Sequence, residues 1–233
     1  MTCQVSSIRC TATVAQRLPT TDPLDVRGSS QHRARLLIVA CGVVDELPTT
    51  PGLAERWGSE VFHCPYCHGY ELKLGRIGVL ATSQLSMHHA LMLPDWGTTT
   101  LLLNDAFEPT TEELAQLEAR GTALERTRVA RLKGGAPITV ELEDGRELPF
   151  GGLFVAPRIR ASSLVAQLGC EMAEGPLGAF IKTDPNKATS VPGVFACGDI
   201  ARAAGSVPLA VGDGAMAGVA AHRALMFGPP ADR

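Results

Sequence analysis

The spacing of apolar positions changes along this chain, and each change marks a different kind of element. Near the start, Ile8, Cys10, Ala12 and Val14 alternate with Arg9, Thr11 and Thr13, the two-residue period of a half-buried strand. Pro23 and Gly28-Ser29-Ser30 punctuate turns. Leu36 to Ala40 is a continuous apolar run ahead of Gly42, which predicts a strand buried on both faces. Residues 45–60 form a Pro- and Thr-bearing connection, with a helical turn expected over Leu53 to Trp57.

From Gly75 strands and helices alternate. Ile77 to Ala81 and Thr98 to Leu103 read as buried strands, and Gln84 to Met92 as a helix ended by Pro94. Thr111 to Arg120 is a polar amphipathic helix closed by Gly121. Ala123 to Lys133 follows, then a hairpin of Ile138 to Leu142 and Arg146 to Phe150 turned at Asp144-Gly145. Gly152 to Pro157 is another buried strand. This order fits a small nucleotide-binding α/β domain carrying a β-meander. In the tail, Val194 to Cys197 is a strand ending in a sharp Gly198-Asp199 turn. Ser206 and Pro208 then start a small-residue helix over Leu209 to Met226. Its glycines at 212, 214 and 218 suit close approach to a sheet or a cofactor.

Composition narrows the function. The 233 residues suffice for one large domain or two small ones, with 45% hydrophobic and 19% charged residues. A net charge of -3 and only 5% aromatics argue against nucleic acid and against an acidic membrane surface as partner. No apolar run is long enough to span a bilayer. Met1 to Leu18 lacks the apolar core of a secretion signal. The expected location is therefore the cytoplasm, where most of the seven cysteines would stay reduced.

Two of those cysteines stand apart, in His63-Cys64-Pro65-Tyr66-Cys67-His68. The spacing lets Cys64 and Cys67 close a disulfide ring and reopen it with little backbone movement, a means of moving two electrons. The segment also matches C-x-x-C-H, a haem-attachment pattern that requires export. A zinc site from His63, Cys64, Cys67 and His68 is a further alternative, although four near-adjacent ligands rarely wrap one tetrahedral ion. No metal is expected. His88-His89 reads as a satisfied or solvent-facing pair, and Arg158 and Arg160 as a solvated loop. Trp57, Trp96, Phe62 and Tyr66 read as core or rim residues, with Tyr66 able to touch substrate.

CPYCHGYE, GRIGVL, GGLFVAP, TSVPGVFACGD and AVGDGAMAGVAAHRAL occur in this order. Over roughly residues 8–226 the chain resembles thioredoxin reductase-like flavoproteins, a group that includes dithiol oxidases of disulfide-containing natural products. The resemblance implies an α/β fold: a Rossmann-like nucleotide-binding domain with a β-meander, inserted into a split, N-terminally truncated FAD-binding domain. The pieces would be 1–72, 73–157 and 158–233. It implies FAD as cofactor, a homodimer, and a dithiol or disulfide substrate, either protein or small molecule. Cys67 would face the flavin and Cys64 would exchange with substrate. His68 stands where the reductases carry an acidic residue and would move a proton. Asp199 would bond the ribitol chain, with Gly198, Val207, Pro208, Leu209 and Gly42 around the cofactor.

Two departures qualify that picture. The family opens with a GxGxxG turn that cradles the FAD pyrophosphate, and this sequence contains no GxGxxG. The second fingerprint should follow Ile77 to Leu80, but Ala81-Thr82-Ser83-Gln84-Leu85-Ser86 stands there without a glycine. Asn104-Asp105 replaces the basic residues that would hold the NADPH 2′-phosphate. NADPH binding by the usual route is therefore disfavoured, and an oxidase handing electrons to oxygen is favoured over an NADPH-driven reductase. The alternative is a truncated, non-catalytic relative serving as a binding or dimerising module.

Overall fold

The computed structural model describes residues 13–16, 24–27, 31–135 and 137–228. The chain folds as two compact units. Unit 1 takes the residues up to Asp45 and those from Ile159 on; unit 2 takes Glu46–Arg158. The first division between these compact units falls at 45/46. The reason is that Leu53, Trp57 and Val61 pack with Leu80, Leu102 and Leu153 in the unit 2 core.

In unit 1, β1 (Thr13–Gln16), β2 (Leu24–Arg27) and β3 (Gln31–Ala34) form an antiparallel sheet. The expected alternation over Ile8 to Ala12 and the turns at Pro23 and 28–30 lie outside the described residues. Next come β4 (Leu37–Val39) and β5 (Val44–Glu46). The run at 36–40 is not buried on both faces as expected: Val39 is buried, but Ile38 is 40% exposed. Among the described residues β4 pairs with β17 alone.

Unit 2 begins with a 3₁₀ turn at Ala54–Arg56, inside the helical turn expected there. It continues through β6 (Val61–Phe62), α1 (Pro65–His68), β7 (Leu74–Leu80), α2 (Ser86–Met92), β8 (Gly97–Leu102) and α3 (Thr111–Ala119). Then follow β9 (Ala123–Glu125), β10 (Val129–Lys133), β11 (Ile138–Leu142), β12 (Glu147–Phe150) and β13 (Gly152–Val155). α2 ends at Met92, as expected ahead of Pro94, which takes the second position of a following 3₁₀ turn, Leu93–Asp95. At α3 the Thr110 hydroxyl accepts from the Glu113 amide while the Glu113 carboxylate accepts from the Thr110 amide.

The main sheet of unit 2 is parallel, in the order β6-β13-β7-β8-β9. Parallel strands need crossovers, which α2 and α3 supply. β10, β11 and β12 form the meander. Val61, Ile77, Val79, Leu80, Leu101, Leu102, Leu153 and Val155 lose all solvent exposure. Each such side chain contributes about 1.5–3 kcal/mol. Gly78 is obligatory here: a Cβ would come within 2.5 Å of Leu153 Cδ1 on the neighbouring strand.

The chain re-enters unit 1 through β14 (Arg158–Arg160), which pairs with β5. It then forms α4 (Ser163–Leu168), β15 (Met172–Glu174), β16 (Ala179–Ile181), β17 (Val194–Ala196) and α5 (Val207–Phe227). β17 lies parallel to β4 with Ala196 opposite Val39. Val39, Val165, Ile181, Val194 and Ile200 form the core of this unit. Ser206 caps α5 and Pro208 sits in its first turn, as the sequence suggests. The glycines of α5 make no close approach to other described residues. An added Cβ at Gly212, Gly214 or Gly218 meets nothing within 4 Å.

Candidate active site

In unit 2 the chain runs up β7, through α2 and α3 to β9, and returns by the meander to β13 on the other side of β7. The strand order therefore reverses between β7 and β13. In open α/β sheets that reversal opens a ligand crevice beyond the carboxyl ends of the strands. Thr82, just after β7, donates its hydroxyl to the Ala156 carbonyl at 2.9 Å, across the reversal point. Two amides of this turn are engaged by its own side chains. Thr82 N donates to Ser86 Oγ at 3.1 Å, and Leu85 N to Ser83 Oγ at 3.3 Å. Gln84 bonds the Glu113 carboxylate of α3, which adds negative charge beside the turn. Asn104 and Asp105, after β8, both adopt left-handed backbone. Asn104 accepts from the Val129 amide, and Asp105 pairs with Arg128 at 3.5 Å.

The dithiol stands at the same carboxyl end, one strand from the reversal point. β6 pairs with β13, Phe62 opposite Phe154, and delivers the chain into α1. Cys64 occupies the cap position and Cys67 the third helical residue, with Cys67 N donating to the Cys64 carbonyl at 3.2 Å. This one turn brings the two sulfurs to 2.8 Å as thiols outside any disulfide, Cys67 exposed and Cys64 half-buried. Gly69 closes the turn because a Cβ there would lie 2.7 Å from the Pro65 carbonyl and 2.8 Å from Trp96 Cγ. Tyr66 is 77% exposed and stands edge-on to Trp96 at 5.5 Å. The following residues Lys73 and Leu74 are left-handed, a strained corner that returns the chain into β7.

His68 stacks on Phe62 at 4.3 Å and 16°, and its Nδ1 is buried without a hydrogen-bond partner. His88 is exposed, but His89 does not fit the satisfied or solvent-facing pair expected. It is 5% exposed, edge-on to Phe154, and its Nδ1 lacks a partner. Burial, then the neighbouring His63 and His88, lower its pKa to about 4. No group of three or more His, Cys, Asp or Glu among the described residues has metal-holding geometry.

The remaining candidates belong to unit 1. Gly42 and Gly198 follow the carboxyl ends of the parallel strands β4 and β17. Gly198 has φ 74° and ψ -157°, a conformation essentially reserved for glycine, and packs against Ala210 of α5. Asp199 lies against Gly205, where a Cβ would fall 2.1 Å from its Oδ1. That Oδ1 is buried and unpartnered. Val207, Pro208 and Leu209 form the exposed first turn of α5. Sequence reading missed Asp213, which is 1% exposed; Arg202 grips both its oxygens, at 2.6 and 2.7 Å, and Lys187 lies 2.7 Å away. The sequence places Asp213 in a small-residue helix, and only its ion-pair partners Arg202 and Lys187, distant from it in the chain, reveal its burial. Burial and the Asp213 charge, opposed by Lys187, push the Cys197 thiol up.

A parallel sheet with two crossover helices, a meander and a surface dithiol at its carboxyl end is the FAD/NAD(P) oxidoreductase class of Rossmann-like fold. The chain belongs to the pyridine nucleotide-disulphide oxidoreductase family, whose model matches residues 10–214. It is 33% identical over 203 residues to "Thioredoxin reductase tcpT" of Claviceps purpurea, covering 82% of this chain and 63% of that protein. It is 31% identical to "Thioredoxin reductase sirT" of Leptosphaeria maculans, covering 79% and 61%. Among solved structures, an oxidoreductase from Agrobacterium tumefaciens superposes with a TM-score of 0.87 at 51% identity, covering 94% of this chain and 74% of that one. The chain thus spans about three fifths of the length of these two curated relatives. Among the described residues no helix is long and apolar enough to cross a membrane.

Proposed function

We propose that this chain is a FAD-type thiol–disulfide oxidoreductase that cycles Cys64 and Cys67 against flavin and acts on a dithiol or disulfide substrate. The observation that carries this reading is the sulfur pair: two thiol sulfurs 2.8 Å apart, one exposed, at the carboxyl end of a parallel sheet. Thiolate at Cys64 attacks a substrate disulfide, breaking its S–S bond and releasing one thiolate. Cys67 then attacks the mixed disulfide, releases the second thiolate and closes the Cys64–Cys67 bond. His68, held flat on Phe62, is placed to pass a proton to a leaving thiolate. Run backwards, the same steps oxidise a substrate dithiol.

The family generally binds FAD. The flavin side of a site is supported in unit 1 by the unpartnered Asp199 Oδ1 and by the start of α5 behind Ser206. There Asp199 would hold the ribitol, and the Val207 to Leu209 backbone would face the ring. When bound, FAD would take up the two electrons of the dithiol. NADPH is a poor donor for this chain, because Thr82, Ser83 and Ser86 occupy the groups a pyrophosphate needs and Glu113 adds charge there. Electron transfer to oxygen follows as the favoured direction. A cytoplasmic homodimer completes the proposal.

The test is the absorbance and redox behaviour of the purified protein. A yellow protein whose flavin is reduced by a small dithiol, in wild type but in neither Cys64→Ser nor Cys67→Ser, is the expected result. A colourless protein that takes up no added FAD would sink the flavin part. Steady NADPH consumption would overturn the oxidase direction.

A further inference from the structure

The dithiol scheme leaves one buried titratable group unused. His89 lies on α2, which packs against β7, β8 and α3. Its ring centroid is 5.9 Å from that of His63, the residue directly before Cys64, and 6.2 Å from that of His88. Phe154 closes its other side at 6.2 Å. Three imidazoles therefore run from the shoulder of the dithiol, through a buried ring, to the exposed His88. A desolvated ring nitrogen without a partner is costly, and native interiors keep few of them.

We propose that His89 is a positioning residue for His63, holding the His63 imidazole beside Cys64 to take up the Cys64 proton in dithiol exchange. The inference rests on the reading of Cys64 and Cys67 as an exchanging pair. His89 stays neutral at neutral pH, because burial and its two imidazole neighbours lower it to about 4. Its unpartnered Nδ1 is then an acceptor available to a neighbouring N–H. The balance is simple. Cys64–SH gives its proton to His63 and becomes the thiolate that attacks a substrate disulfide. The substrate S–S bond breaks, and its leaving thiolate takes that proton. Cys67 repeats the transfer, so two protons and two electrons pass from the protein dithiol to two substrate thiols.

Other charged groups near α2 are engaged elsewhere or point to solvent. Glu113 holds Thr110 and Gln84, while Arg120 pairs with Asp95 and bonds the Leu91 carbonyl. Arg76 lies over the Phe150 ring, and Glu112 and Glu118 are exposed on α3. The titratable groups on the dithiol segment itself are His63, Cys64, Cys67 and His68. His68 stacks on the opposite partner, Phe62.

The test is site-resolved alkylation of Cys64 by iodoacetamide from about pH 5 to about pH 9, read by peptide mass spectrometry on the full chain. His89→Phe keeps an aromatic ring against Phe154 and removes the nitrogens. It should unfold at the wild-type temperature, yet its profile moves to higher pH and its rate near pH 7 falls about three- to ten-fold. His89→Asn, with an amide near the Nδ1 position, recovers most of that loss. His63→Ala loses as much, and the double variant loses no more than His63→Ala alone. A folded His89→Phe with an unchanged profile overturns the proposal, and so do losses that add in the double variant. If His89→Phe does not fold, His89→Asn and His63→Ala decide: equal losses without rescue overturn it. A wild-type chain that forms no Cys64–Cys67 disulfide with hydroxyethyl disulfide overturns the dithiol reading instead. An unchanged His89→Phe profile in a chain that does form it removes only the role of His89.

Discussion

Asp213 is buried within α5 and gripped by two cations, Arg202 through both oxygens and Lys187 through one. Lys187 adopts left-handed backbone, φ 66°, at the residue that supplies this second cation. The Arg202 hydrogen bonds, followed by those from Lys187, hold the Asp213 carboxyl well below the usual carboxylate range. A depressed carboxyl stabilises the fold above its unfolded value of about 4, and that contribution is lost as pH falls through the folded value. Asp213→Asn should therefore cost about 3 kcal/mol at neutral pH in urea unfolding, because two cations are left uncompensated. The gap between variant and wild type should narrow below about pH 4. Equal stability at neutral pH would contradict this. Sequence alone reveals Cys64 and Cys67, because their chemistry is encoded in a local spacing. It hides Asp213 and His89, whose character comes from burial by residues distant in the chain.

At the scale of elements, length decides what a pattern can reveal. β7, β8, the β11–β12 hairpin, α3 and α5 are long enough, or punctuated clearly enough, for their periods to stand out. β6 has two residues and β15 and β16 three each, too short to carry a period. α1 is a single turn made by the dithiol segment itself. The burial of an element is a separate matter, since β4 reads as an interior strand yet leaves Ile38 open. α5 shows the same separation, with small residues that suggest a tight neighbour and no neighbour within 4 Å of a methyl group at Gly214. Gly214→Ala should consequently stabilise the protein by up to about 1 kcal/mol, the difference in helix propensity. A loss of stability in urea unfolding would mean that this face of α5 is packed in solution.

Across the whole molecule, the hydrophobic cores obey the division into units. The two clusters of unit 2 draw every member from within Glu46–Arg158, and the cluster of unit 1 draws none from it. An excised 46–158 fragment should therefore fold alone, with one cooperative urea transition by circular dichroism. A fragment without a transition would show that its core depends on unit 1. The hydroxyl of Thr82, clasped to Ala156 across the mouth of unit 2, carries a pharmacological consequence. On the proposed reading, mimics of NADPH gain little hold at this turn, whereas sulfur-seeking electrophiles aimed at Cys64 and Cys67 would be the selective class of inhibitor.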